Sequence, residues 1–321
     1  MGPEEGCYRR DNTNVIRSGD WYYVYYNKGP AWKHFHTEWR GSVWGAKSRD
    51  GYHWEEMGEM IPVGPSGQWD AWSAYCPNIL SGSDAKYYLY YTGQPENQQA
   101  ETPIFIGVGI SDSPEGPFEK HGKDPIFAPT GNRDDFDGFR VDDASVIPRN
   151  GRVQRRVQRR VQRRVQRRVQ RRVQRHVQLE YWMYYKGRGI DASVCETKIG
   201  LAIGPTPVGP WTRYDANPVI PEGHEIMVWP HGPGIGIYSH YCSGSHANQF
   251  GDFYFSPDGL HFSKELEIPV DHPGGQPRNP GGYFPDCYVA PEYGCGATWG
   301  ISFVNAGGTE YLIRFDMDLR A

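Results

Sequence analysis

Three stretches of this 321-residue chain hold acids at positions where acid–base chemistry can be done. Asp11 and Asp143 each stand a few residues ahead of a Val-Ile pair, Val15-Ile16 in one case and Val146-Ile147 in the other. A single Asp in such a place is ordinarily a turn-capping residue. The same acid in the same register of two distant segments points instead to a shared site. The third stretch runs from Gly223 to Pro230 and contains His224 and Glu225. Acids from separate segments converging on one point suit glycoside hydrolysis, in which one group protonates the leaving oxygen and another activates water. A third group can hold the first at a working proton affinity.

Such convergence needs a repeated scaffold, and two periodicities supply one. Tyrosine-rich strands recur at 21–26, 87–91 and 181–185, with weaker echoes at 235–241 and 298–303. A turn motif ending in an aromatic recurs around Gly51, Gly116, Gly209 and Gly259, at spacings of 65, 93 and 50. Repeats of this length, rich in strand and turn signals, predict propeller blades. The expectation is one all-β domain over 1–321, a five-bladed β-propeller with blades at 8–64, 65–130, 131–222, 223–270 and 271–321. A β-sandwich explains the strands but not their recurrence.

The spacing of 93 is inflated by a basic tract. From 152 to 178 a Val-Gln-Arg-Arg unit recurs six times, the last ending in His176. On a helix, valines four apart drift by about 40° per unit, so no stable apolar stripe forms. Its flanks read as an Asn-Gly hairpin once the units are removed. The tract is therefore expected as an Arg-rich insertion at a hairpin tip in blade three, mobile or loosely helical. Its twelve arginines also disguise the charge: net −4 becomes about −16 without them. An acidic body is not a nucleic-acid binder. No apolar run is long enough to span a membrane. The start carries no secretory signal, which reads as cytoplasmic residence. Six cysteines at long, unequal spacings are expected to be buried free thiols, and no metal-ligand spacing appears.

Several residues are candidates for substrate contact. Trp69, Asp70 and Trp72 open blade two, where an indole stacks on a sugar ring or packs in the core. Arg10 adjoins Asp11 and is placed to lower its proton affinity or to bind a hydroxyl. His231, Asp286 and Trp299 are candidate channel-lining groups.

The stretches at 9–16, 140–147, 223–230, 281–286 and 298–302 resemble glycoside hydrolase family 117, the neoagarobiose hydrolases, over nearly the whole chain. That resemblance implies an exo-acting, inverting enzyme releasing 3,6-anhydro-L-galactose from the non-reducing end of neoagaro-oligosaccharides. It implies Asp11 as general base, Asp143 as the group tuning the acid, His224 as general acid and Glu225 as its support. It implies no cofactor, with a structural ion in the central channel compatible with the fold. It also implies a homodimer exchanging an N-terminal segment that is missing here. Asn12 and Ala144 stand where the family carries Pro. Two other readings keep the propeller: a glycosidase for an arabinoside, xyloside or galactoside with Glu225 as the acid, and a sugar-binding module without catalysis.

Overall fold

The computed structural model describes residues 1–30, 40–96, 102–150, 179–240, 250–269, 277–279, 283–285, 294–306 and 309–320. The arginine tract and Asp286 lie outside them. Among the described residues there is no α-helix, and the strands form a β-propeller arrangement of antiparallel sheets.

The first sheet holds β1 (Cys7–Arg10), β2 (Ile16–Ser18), β3 (Trp21–Pro30), β4 (Ser42–Ser48) and β5 (Trp54–Ile61). The second holds β6 (Ser73–Ser81), β7 (Tyr87–Gln94), β8 (Phe105–Ser111) and β9 (Glu119–Lys120). The third holds β10 (Arg140–Asn150), β11 (Leu179–Arg188), β12 (Thr197–Gly204) and β13 (Thr212–Arg213). Its ladder runs as far as the pair Asn150↔Leu179, which flanks the arginine tract.

The fourth sheet has eight strands. A meander of β14 (Ile226–Gly232), β15 (Gly234–His240), β16 (Phe250–Ser256) and β17 (Ser263–Pro269) comes first. It is followed by β18 (Pro277–Asn279), β19 (Tyr283–Pro285), β20 (Gly294–Ala306) and β21 (Thr309–Arg320). The strands thus fall into four sheets where the sequence suggests five. The reason is local: β14 and β20 share the pairs His231↔Cys295 and Gly232↔Gly294.

The tyrosine-rich segments are second strands, and both of their faces are covered because sheet packs on sheet. Tyr23 and Tyr25 meet Leu89 and Tyr91 between the first two sheets. Tyr88 and Tyr90 meet Met183 and Tyr185 between the next two. Val24 and Tyr26 meet Ile301 and Phe303, which brings the last strands back against the first sheet. That return removes the open edges a linear stack would leave.

The two sequence periodicities also meet physically. Tyr25 donates its hydroxyl to the Pro114 carbonyl at 2.5 Å, Tyr90 to Pro207 at 2.7 Å and Tyr184 to Gly259 at 2.8 Å. Each phenol therefore locks onto the turn motif of the next repeat. Those turns need glycine: Gly51, Gly116, Gly209 and Gly259 all have φ between 75° and 93°, a region that a Cβ disfavours.

The cysteine expectation needs correcting. Cys7 and Cys76 are free and partly exposed, whereas Cys195 is disulfide-bonded. Long, unequal spacing hid that pairing.

Candidate active site

One backbone device builds the site three times. In the second sheet, β6–β7 pairing breaks after Tyr75 and resumes at Asn78. In the third, β10–β11 pairing breaks after Asp142 and resumes at Ser145. In the first, β1 ends at Arg10 and the chain rejoins β3 when Thr13 N donates to the Tyr25 carbonyl. The residue after each break takes a left-handed backbone: Asp11 at φ 47°, Cys76 at 44° and Asp143 at 51°. Non-glycine residues rarely sit there, and such strain gathers at functional sites. Glu225 immediately precedes β14 and completes the set.

Asp11, Cys76, Asp143 and Glu225 line one cavity of about 40 Å³, together with Pro77, Ala144 and Met227. That space suits a few water molecules. A belt of hydrogen bonds behind it ties the first strands together. Asn78 Nδ2 donates to Asn14 Oδ1 at 3.3 Å, Val146 N donates to Asn78 Oδ1 at 3.0 Å, and Val228 N donates to Ser145 Oγ at 3.2 Å. The cavity residues are thereby fixed to a rigid ring of backbone.

The electrostatics differ from acid to acid. Asp11 accepts from Arg10 Nε at 3.0 and 3.1 Å and from Asn27 Nδ2 at 3.1 Å. Arg10 is buried under Phe303, 4.9 Å from the ring centroid, and also faces Glu310 at 3.6 Å. Burial disfavours its charge, but Asp11, Glu310 and Glu225 outweigh that and strengthen its hold on the proton.

Asp143 pairs with the buried ammonium of Lys186, which also lies 3.4 Å from Asp142. Arg140 pairs with Asp142 in turn. Burial raises the Asp143 proton affinity above its ordinary value; Lys186 opposes this, Asp142 adds to it, and Cys76 opposes it. Glu225 is pushed well above its ordinary value, first by burial and then by the charges of Asp11 and Asp143. Such a shift keeps a carboxylic acid protonated toward neutral pH. Among the described residues Glu225 Oε2 has no hydrogen-bond partner.

His224 stands beside this group and outside the cavity wall. Its Nε2 is 3.9 Å from Glu225 Oε1, and its Nδ1 is 3.3 Å from Thr197 Oγ1.

The other candidates are engaged elsewhere. Trp69 stacks on Tyr91 at 5.5 Å and donates to the Lys123 carbonyl at 3.0 Å. Asp70 accepts from Tyr91 at 2.9 Å and from Lys120 at 2.6 Å. The third sheet repeats the arrangement: Phe136 stacks on Tyr185, and Asp137 takes Tyr185 and Arg213. These are clamps inside a blade. Trp72 is buried with the Arg40 guanidinium 4.1 Å above its ring. His231 lies at the far end of β14, roughly 20 Å of extended chain from Glu225, packed against Trp229 and Phe253 with its proton affinity lowered by burial. Trp299 packs edge-on to Tyr22 at 5.3 Å and under Arg314 at 4.2 Å. None of these side chains lines the cavity. Cys76 does, and sequence reasoning passed over it. The signal was present: Cys76 precedes Ile79-Leu80 and a tyrosine-rich strand just as Asp143 precedes Val146-Ile147.

Among the described residues no group of three or more His, Cys, Asp or Glu is placed to hold a metal ion, and no helix is long and apolar enough to cross a membrane.

Comparison with known proteins agrees with this fold. The Glycosyl hydrolases family 43 profile matches residues 7–146, the span that contains Asp11, Cys76 and Asp143. No curated protein matches the chain by sequence. Among solved structures, Zg3597, a family 117 glycoside hydrolase of the marine bacterium Zobellia galactanivorans, is 24% identical. It aligns over 98% of this chain and 86% of its own, with a TM-score of 0.73. An exo-β-1,3-galactanase from Clostridium thermocellum is 13% identical over 97% of this chain and 59% of its own, at 0.61. One from Phanerochaete chrysosporium is 11% identical over 97% and 60%, at 0.56. The matched profile and the propeller fold define the class: the chain is a glycoside hydrolase of the β-propeller type. Its particular likeness is to family 117, the family its sequence resembles.

Proposed function

We propose that the chain is an exo-acting, inverting hydrolase that releases 3,6-anhydro-L-galactose from neoagaro-oligosaccharides. The observation that carries the mechanism is a single cavity in which Glu225, with its raised proton affinity, shares the wall with Asp11 and Asp143. Glu225 protonates the leaving oxygen. Asp11, oriented by Arg10 and Asn27, takes a proton from the attacking water. Asp143 places negative charge beside Glu225, which keeps that acid protonated, and it orients the sugar. This assigns the acid to Glu225 and leaves His224 as its neighbour, the reverse of what the family 117 resemblance implies for the pair. The choice rests on His224 lying outside the cavity wall.

The substrate rests on likeness to family 117. The galactanase-like folds support a second reading, a β-1,3-galactoside. We also read the fold as one domain of five blades, because β14 to β17 and β18 to β21 are successive groups of strands joined, among the described residues, through two residue pairs. On this reading the arginine tract is an insertion at the β10–β11 tip, no cofactor takes part, and the partner is an oligosaccharide.

Incubation with neoagarobiose, followed by NMR of the released sugar, tests the proposal. Release of 3,6-anhydro-L-galactose with inverted anomeric configuration is expected. No release, with cleavage of β-1,3-galactobiose instead, would replace the substrate. Binding of both without cleavage would leave a sugar-binding module.

A further inference from the structure

Cys76 occupies in the second sheet the place that Asp11 and Asp143 occupy in the first and third. It shares their left-handed backbone and their cavity. The backbone does not select a thiol there. Asp and Asn accept positive φ more readily than Cys, and two other sheets use Asp. The thiol must be explained by its side chain.

We infer that Cys76 is the neutral positioning residue of the acid cluster, sharing the cavity wall with Asp143 and keeping a fourth carboxyl group out of it. This rests on the functional reading above, in which Glu225 works as an acid beside two carboxylates. The groups facing this corner, among the described residues, are Asp11 and Arg10 beside β1, Tyr75 on β6, Arg140, Asp142 and Asp143 on β10, Lys186 on β11, and Glu225 ahead of β14. A thiol stays uncharged in such company: burial comes first, then Asp143 and Asp11, in pushing it well above its ordinary value. Of the polar neighbours, Lys186 and Cys76 favour the charged form of Asp143, whereas Asp142 disfavours it. A carboxylate at position 76 would reverse the effect, adding repulsion to a cavity already holding three acids.

The inference is tested with Cys76→Ala, Cys76→Ser and Cys76→Asp in the full chain, read two ways. The first is NMR titration of the labelled carboxyl groups of Asp143 and Glu225. The second is the pH profile of kcat and KM. Loss of the thiol in Cys76→Ala should raise the Asp143 midpoint by about half a pH unit, and the hydroxyl of Cys76→Ser should restore it. Cys76→Asp, which its backbone accepts, should raise the Glu225 midpoint by about one unit and carry the alkaline limb of kcat with it. For Cys76→Ala, kcat should fall about tenfold with KM nearly unchanged, the pattern of a lost transition-state contribution. Midpoints equal in wild type and all folded variants would overturn the inference. Cys76→Ser, nearly isosteric, guards against misfolding of the others. Titration reads Cys76 without turnover. Shifted midpoints in a protein that cleaves no sugar would therefore sink the functional reading alone, and unmoved midpoints in an active enzyme would sink this inference alone.

Discussion

Asp11 and Asp143 are the same residue of two repeats, held by different partners from the same register position. Asn27, the strand partner of Arg10, donates to Asp11. Lys186, the strand partner of Asp142, pairs with Asp143. One geometry thus gives one acid an amide and a neighbouring guanidinium, and the other a buried ammonium. Two identical side chains thereby sit in different electrostatic surroundings, as the proposed division of tasks between them requires.

Asp11→Asn keeps the size and the left-handed backbone but removes the base. Turnover should fall by about 10²–10⁴, the usual contribution of a positioned base. The melting temperature should stay within a few degrees. Wild-type activity in this variant would remove Asp11 from its role.

Glu225→Gln compared with His224→Gln names the acid. Glu225→Gln should lose most activity on natural glycosides and much less on an aryl glycoside whose leaving group needs no protonation. His224→Gln should change the rate less. The opposite ranking would return the acid role to His224.

Glu225 also sets a pH dependence of stability. Its folded proton affinity exceeds that of the unfolded chain. In that interval the folded state binds more protons, so stability falls as pH rises. The stabilisation is complete below the ordinary glutamate range and is lost as pH climbs through the raised folded value. Glu225→Gln should therefore melt higher than wild type at neutral pH and about equally at pH 4. Equal melting at both would show that the charge is not penalised.

Lys186→Met removes the buried cation between Asp142 and Asp143. Leaving buried charge uncompensated should cost about 3–5 kcal/mol, seen as a lower urea midpoint at neutral pH. Part of that loss should return at acid pH, where the carboxyls take up protons.

Trp69→Ala separates a blade clamp from a sugar platform. Loss of a packed Trp costs about 3–5 kcal/mol. The folded fraction should keep its KM, because Trp69 faces Tyr91 and Phe105. A large rise in KM at unchanged stability would restore Trp69 as a substrate contact.

The strands and the acids were legible because their periodicities are local. Tyrosine runs, turn glycines and an Asp before a Val-Ile pair are short patterns that each repeat must satisfy on its own. The destinations of Trp69, Trp72 and Trp299 were not legible. An indole next to an Asp reads the same whether it faces a ligand or a neighbouring ring; Trp69 lies over Gly93 and Gly107, whose lack of side chains leaves room for its ring. Cys76 was not legible by residue type, since a thiol carries no carboxylate signature; only its register, matching Asp11 and Asp143, marks it. The disulfide at Cys195 was not legible either, because cysteine spacing alone does not fix pairing.

The left-handed residues have an evolutionary corollary. A backbone at φ near 50° accepts Asn and Gly at least as readily as Asp. On the proposed reading, a single substitution at 11 or 143 therefore silences the chemistry without straining the backbone. On that reading a lectin that holds its sugar uncut lies one base change from the enzyme.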